Sequence, residues 1–482
     1  MDKIKVRGMR FVDEQGRERI FHGVNLKGKI DGLNLDWLDE EFFRRGAALG
    51  QRLLRLGVCW ELLEPAPGQY NEAVLAKMDG IFSLAEQYGW YIFIDMHQDI
   101  YSSYKDLLEC GSGNGAPGWA CLTDGHMPRA PKFAWAFGYY TDKARWRSFD
   151  HFWANAPVHG KGLQEHYAAL WQLLARRYGN HPALFGWNIM NEPFPGTPGG
   201  RIFRKLVAKV TRVGLVSPAV KRIQTIKRWR NPDKHGHWLD VLTPAVMEKV
   251  VLTPAVRKIM HKFEQEHYGP FVAKMTAAIR EITPNGVIIF DQCYWCNIGV
   301  PCNVPLPAGE SQICFDPHGY DFMVDTPAYK HANNERVGFM FGEMRESQLR
   351  FGTPAIAGEW GGGGEGESFL PHIAYVMDLF DSWNWSNCYF AYGEALFDNP
   401  IMRLLSRPYP WAVNGVIEKF SVCDTHKTLK LIYTPNESDA PTEIFLPNGY
   451  ESVEAGEGAQ VSYENNLLCV RTKANKIVVK YK

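Results

Sequence analysis

Asn188-Ile189-Met190-Asn191-Glu192-Pro193 closes an apolar run that begins at Leu184, and Ala357-Gly358-Glu359-Trp360-Gly361 closes another that begins at Pro354. Each run is short, apolar, and broken by charged and turn-forming residues. Six more of the same kind occur, at 21–26, 53–57, 91–96, 287–291, 313–316 and 386–391, with amphipathic helical stretches between them. That alternation implies βα units around a parallel sheet. Runs that are apolar on both faces suit strands with helices outside and a packed interior within. Eight such strands predict an α/β fold, a (β/α)8 barrel.

The barrel is expected to occupy residues 1–410. Residues 9–20 alternate around a turn and read as a hairpin capping its floor. From Trp411 to Lys482 the pattern is alternating segments, such as 428–433, 442–446 and 476–481, which predicts a small C-terminal β-sandwich. A basic insert spans about 197–265. Between Arg201 and Lys262 there are fifteen Lys or Arg against Asp233, Asp240 and Glu248, a local balance of +12 in a neutral chain. Ile202, Phe203, Leu206, Val207 and Val210 share one helical face, with Arg204, Lys205 and Lys209 on another. Such a helix suits peripheral contact with an anionic membrane, and packing as a solvated helix on the barrel is the alternative.

Of 482 residues, 45% are hydrophobic and 22% charged, and 53 basic residues balance 53 acidic ones. These values describe a folded core and give no reason to expect a nucleic-acid partner. No run reaches the roughly 18 apolar residues of a membrane span, so a soluble monomer is expected, cytoplasmic or secreted with a leader removed. Ten cysteines do not make a disulfide scaffold. Cys110 and Cys121 bracket a glycine-rich loop. Cys293 and Cys296 have no second pair at zinc-knuckle spacing in Cys302 and Cys314, so no metal is expected.

In barrels of this kind, reactive groups sit where strands end. Glu192 and Glu359 then face each other across the mouth, and the chemistry that needs two facing carboxyls is glycoside hydrolysis. Other strand ends supply Arg55, His97 with Asp99, and His318 with Tyr320. Arg55 can hold the nucleophile ionised, His97 and Asn191 can bind sugar hydroxyls, and Tyr320 can orient Glu359. A metal site from Asp95, His97, Asp99 and His318 lacks the helix-borne histidine pair that would support it.

Phe21-His22-Gly23-Val24-Asn25, Arg55, His97, Asn191-Glu192-Pro193, His318-Gly319-Tyr320 and Gly358-Glu359 closely resemble the motifs of glycoside hydrolase family five. The resemblance implies a retaining β-glycosidase without a cofactor, with Glu192 as acid/base and Glu359 as nucleophile. Asp95-Met96-His97-Gln98-Asp99, the stretch 112–120, Asn191-Glu192-Pro193-Phe194-Pro195-Gly196 and Arg407-Pro408-Tyr409-Pro410 resemble its endoglycoceramidase and glucosylceramidase branch. This implies a glycolipid substrate, with Asp99 and Lys27 at the sugar and Trp119, Trp360 and Tyr392 among the substrate-binding residues. The family commonly ends its eighth strand with a Trp under the cleaved sugar, and here the candidates are Tyr389 or Tyr392. Ceramide calls for an apolar trough, for which Trp119, Trp135, Phe194 and 202–210 are candidates. Hydrolysis of a steryl glucoside, of a glucan or mannan, or a non-catalytic carbohydrate- or membrane-binding barrel are the competing readings.

Overall fold

A computed structural model describes the chain except residues 27–35, 108–112, 132–134, 217–241, 325–328, 363–366 and 394, and the side chains of 214–216, 330 and 392. Its centre is a ring of parallel strands: β1 (His22–Leu26), β2 (Leu53–Cys59), β3 (Tyr91–His97), β4 (Leu184–Asn188), β5 (Val287–Asp291), β6 (Ile313–Asp316, resuming at His318–Gly319), β7 (Ile356–Gly361) and β8 (Ser386–Tyr392). Neighbours pair in chain order, and β8 returns to β1 with Asn387 opposite His22. The sixth strand is split by Pro317, whose nitrogen carries no hydrogen for a ladder. Its first part pairs with β5, and its second part pairs with β7, setting His318 opposite Glu359. Every residue of β2, β3 and β7 is buried, which is why these runs lack a polar face.

Helices Glu72–Tyr88, Leu163–Tyr178, Gly269–Ile282, Asn334–Phe351 and Leu370–Trp383 contribute to the outer layer. Their ends follow local chemistry. The Asn333 side chain accepts from the Arg336 N–H to start one helix, and Gly352, at φ 67°, ends it in the left-handed region.

The N-terminal strands do more than cap the floor. Phe11 meets Phe185 edge-on at 5.2 Å, and Phe21 meets both Phe185 at 5.2 Å and Trp411 at 5.3 Å, closing the barrel base with aromatic rings. Lys5–Arg7, Arg10–Val12 and Glu18–Arg19 also extend a sheet containing Tyr409–Val413, Thr442–Phe445, Leu467–Arg471 and Gln460–Glu464. A second sheet, Gly415–Cys423, Thr428–Pro435, Lys476–Tyr481 and Tyr450–Glu454, completes the C-terminal sandwich. The sandwich is therefore built from both ends of the chain. Glu18 accepts from the Ile417 N–H at 2.8 Å, and Arg19 donates to the Trp411 carbonyl at 3.0 Å.

The basic insert forms the helix Thr197–Val216, followed after the undescribed segment by helices Pro244–Val251 and Pro254–Phe263. Of the two alternatives for this helix, packing accounts for much of its apolar stripe. Ile202 and Leu206 are buried, and the Phe203 ring stacks on Tyr140 at 4.6 Å. Helices Phe137–Thr141, Lys143–Trp153, Pro244–Val251 and Pro254–Phe263 pack on it, because an apolar stripe of this width is most stable against protein. Val207 stays exposed beside Arg201, Arg204, Lys205 and Arg212. The cations from Lys221 to Lys234 lie outside the described residues. Among the described residues no helix is long and apolar enough to cross a membrane.

Candidate active site

Alternate residues of a strand face the same side, so the inward positions of the barrel strands converge below its mouth. Arg55 of β2 lies at the centre, fully buried. Its guanidinium reaches Asn191 Oδ1 at 2.9 Å, Asn188 Oδ1 at 3.0 Å, Asp95 at 3.0 Å, Asp291 at 3.3 Å and Glu359 at 3.6 Å. Burial alone would lower the Arg55 pKa, but Asp95, Asp291 and Glu359 outweigh it and raise it, so this group is a fixed cation.

His318 takes the other central position. Its Nδ1 lies 3.0 Å from Glu192 Oε1 and 3.2 Å from Glu359 Oε2, and its Nε2 is 3.4 Å from Asp291 and 3.5 Å from Asp316. Burial disfavours the imidazolium, yet Asp291 and Asp316, with a hydrogen bond to Glu192, raise the His318 pKa well above its ordinary value. One carboxyl oxygen each of Glu192 and Glu359 and a ring nitrogen of His318 all lie within 4.8 Å of one another. The structure thus brings together the two glutamates singled out in the sequence, each of them less than a tenth exposed.

Local folding explains how each glutamate is presented. Glu192 leaves the end of β4 with φ 39°, a strained conformation for a residue with a Cβ, and more so before a proline. Three bonds hold it there: its N–H donates to Asp291 Oδ2 at 3.0 Å, and Gln98 Nε2 donates to the Asn191 and Glu192 carbonyls at 2.9 and 3.0 Å. Asn297 Nδ2 donates to Glu192 Oε1 at 2.5 Å. Glu359 follows Gly358, whose N–H donates to Asp316 Oδ1 at 2.7 Å, and a Cβ at that glycine would meet the same carboxylate at 2.4 Å.

The remaining expected residues divide. His97 has both nitrogens engaged, with Asp95 at 2.7 Å and Asp99 at 3.2 Å, so it orients Asp99, whose side chain is 23% exposed. Asn191 accepts from Arg55 and donates to the Gln98 carbonyl at 2.9 Å, which makes it a girder of the site. Tyr320 stands edge-on to Phe390, 6.1 Å between ring centres. One assignment is corrected. Trp360 alternates outward from Glu359 and is wholly buried between Phe380 and Tyr389, its indole N–H on Asn387, so it forms part of the helix-facing core. Trp119 packs edge-on against Trp60 and His166 and donates to the Glu64 carbonyl. Lys27 and the Tyr392 side chain lie outside the described residues. Tyr389 is buried against Trp360, which excludes it as a sugar platform. Phe390, the next residue and half-buried beside Tyr320, takes the inward position.

Sequence reasoning missed Phe390, Asn297, Gln98, Asn188, Asp291 and Asp316 as site residues. The two aspartates end β5 and β6, a position that does signal the rim. Asn297 lies in the short 3-10 turn Tyr294–Ile298, which has no recognisable motif. Cys121 carries a free thiol, and Cys110 lies outside the described residues.

Facing carboxyls flanked by an arginine at the mouth of an eight-stranded barrel define a glycosidase-type site. Residues 12–395 match the cellulase model of glycosyl hydrolase family 5 and residues 407–480 match the family 5 C-terminal domain, and the chain belongs to that family. It is 30% identical over 213 residues to an endoglycoceramidase of Hydra vulgaris, a match covering 38% of this chain and 39% of that protein. The match thus spans about two fifths of that relative's length. It is 24% identical over 468 residues to endoglycoceramidase I of Rhodococcus hoagii, covering 93% of this chain and 82% of that one. Among solved structures, endo-glycoceramidase II from Rhodococcus sp. as its lactosyl-enzyme intermediate superposes with a TM-score of 0.71 at 24% identity, covering 98% and 99% of the two chains.

Proposed function

We propose that this chain is a retaining β-glycosidase that cleaves the bond between the glycan and the ceramide of glycosphingolipids. The observation that carries the mechanism is the approach of Glu192 and Glu359 oxygens to within 4.8 Å, the close spacing of direct displacement by a carboxylate rather than the roughly 6.5–9.5 Å that an attacking water requires beside the sugar. Glu359 attacks the anomeric carbon as the bond to the ceramide oxygen breaks, and Glu192 delivers its proton to that oxygen. In the second step Glu192 takes a proton from water, whose oxygen displaces Glu359 and releases the glycan. Arg55 beneath Glu359 favours its charged form, and the imidazolium of His318 spans both carboxyls. Asp99 reaches a sugar hydroxyl and Phe390 forms the sugar platform beside Tyr320. Glu192, Glu359, Arg55 and His318 all come from one chain, in keeping with a monomeric enzyme.

The lipid side follows from what adjoins the acid. The Tyr294 N–H donates to the Pro193 carbonyl at 3.0 Å, tying the Glu192 loop to rings that include Tyr140, Phe203 and Trp295. Trp135, 40% exposed, extends this aromatic group to the surface. The relatives named endoglycoceramidase favour ceramide over sterol or polysaccharide aglycones. The exposed basic face around Lys205 supports peripheral contact with anionic membranes.

Glucosylceramide, lactosylceramide, a steryl glucoside and a soluble cellulose derivative, assayed side by side, test the proposal. Intact glycan and free ceramide are the expected products. Faster cleavage of the steryl glucoside or the polysaccharide would overturn the lipid assignment. Binding to anionic vesicles that weakens with salt and on neutralising Lys205 and Arg212 tests the membrane contact, and salt-independent binding refutes it.

A further inference from the structure

Behind the loop that carries Asn297 lies a buried group of ionisable side chains that hydrolysis does not use. Cys296 and Cys302 are each 1% exposed, and Glu264 not at all. The two sulfurs and one Glu264 oxygen lie within 4.8 Å of one another. Glu264 opens a single π-turn, Glu264–Tyr268, between helices Pro254–Phe263 and Gly269–Ile282, the kind of helix interruption frequent at functional sites. Its Oε1 accepts from the Asn303 N–H at 3.1 Å, while its Oε2 is buried with no N–H or O–H donor and the Cys302 thiol lies against the same carboxyl.

We infer that Glu264, Cys296 and Cys302 form a binding site for a thiophilic divalent cation of the Zn2+ class, joining the loop 293–303 to the π-turn. Two thiolate sulfurs and a carboxylate oxygen are a zinc-type donor set, and a buried arrangement of this kind selects against Mg2+ and Ca2+, which take oxygen ligands. Charge also balances. Two thiolates, a carboxylate and a divalent ion sum to −1, and the Arg350 guanidinium, which donates to the Cys302 carbonyl at 3.1 Å, supplies +1. Loading releases the protons of the two thiols to solvent as the sulfurs bind the ion. Cys293, whose Sγ lies 3.8 Å from Met260 Sδ, adds to the sulfur-rich lining. The spacing of Cys293 and Cys296 alone gives no such site, because the oxygen donor comes from a distant helix. Asn297, the donor to Glu192, follows Cys296 directly, so an occupied site restrains the loop that positions the acid/base.

Titration of the full-length, metal-free protein with Co2+ tests this without reference to hydrolysis. The expected result is a near-ultraviolet thiolate-to-cobalt charge-transfer band with tetrahedral visible bands, saturating at one ion per chain and displaced by Zn2+. Glu264→Gln, nearly isosteric, weakens Co2+ binding at least tenfold. Cys296→Ser with Cys302→Ser abolishes the charge-transfer band, whereas Cys423→Ser with Cys469→Ser retains it. Absence of the band in the unmodified protein overturns the site, and so does its persistence in the Cys296 and Cys302 double variant. If that variant does not fold, as judged by circular dichroism, unchanged affinity in Glu264→Gln overturns it equally.

Discussion

Replacing Glu192 separates a chemical role from a structural one. Its Oε1 is occupied by Asn297 and His318, which leaves Oε2 for the leaving group. His318 cannot take over as acid, because it is wholly buried and both of its nitrogens face carboxylates. Glu192→Gln keeps an acceptor for both donors and removes only the transferable proton. The loss is then the full contribution of a positioned general acid, about 10²- to 10⁴-fold, or ~3–5 kcal/mol of transition-state stabilisation. That loss falls on kcat/KM for ceramide glycosides, whose alkoxide is a poor leaving group. It nearly vanishes for a dinitrophenyl glycoside, whose leaving group departs unprotonated. With the aryl substrate the second step becomes limiting, and azide in the Glu192→Ala variant restores turnover and yields a β-glycosyl azide. Equal loss of kcat/KM for both substrates, with no azide rescue, would show that Glu192 acts through structure and refute the assignment.

Arg55→Met leaves Asp95, Asp291, Asp316 and Glu359 around an apolar side chain. The expected destabilisation is about 3–5 kcal/mol in chemical denaturation, with activity lost, and a stable active variant contradicts the role given to this cation. Glu18, buried between the hairpin and the sandwich, has its pKa raised by burial from the ordinary 4.5 to about 7. The fold thus favours its neutral form, and the penalty grows as pH rises from 4.5 to 7 and is constant above. Glu18→Gln, which keeps the acceptor for the Ile417 N–H, is expected to match the unmodified protein at pH 4 and to be more stable at pH 8 by about 3 kcal/mol. A pH-independent difference in urea midpoints refutes this. Phe390→Ala is expected to lower kcat/KM about fivefold, the scale of one lost ring contact of ~1 kcal/mol, with Phe390→Trp retaining activity. An unchanged kcat/KM means that the sugar rests elsewhere.

Strand count, barrel closure and the pair of glutamates were legible because each depends on local pattern. Apolar runs mark buried strands, and a carboxylate where such a run ends marks the rim. What sequence could not supply was the facing of single residues. Trp360 and Tyr389 look like site aromatics beside Glu359 and near the end of β8, but strand alternation turns both outward, and the register of one residue selects Phe390 instead. Trp119 poses a different difficulty: its loop has no period, so nothing in the sequence distinguishes a platform from a packed ring. The basic helix was read correctly as amphipathic, yet its apolar face found protein partners in helices both before and after it in the chain, a tertiary contact that periodicity cannot distinguish from a lipid surface. The N-terminal hairpin shares a sheet with the C-terminal sandwich because Arg19 pairs with Ala412, a union of chain ends visible only in three dimensions.

Incubation with a 2-fluoro glycoside bearing an activated leaving group, followed by peptide mass analysis, tests the covalent mechanism most directly. A single glycosyl adduct on the peptide containing Glu359, absent from Glu359→Gln, is the result the geometry predicts. No adduct, together with release of sugar of inverted configuration, or an adduct on any other side chain, would contradict it.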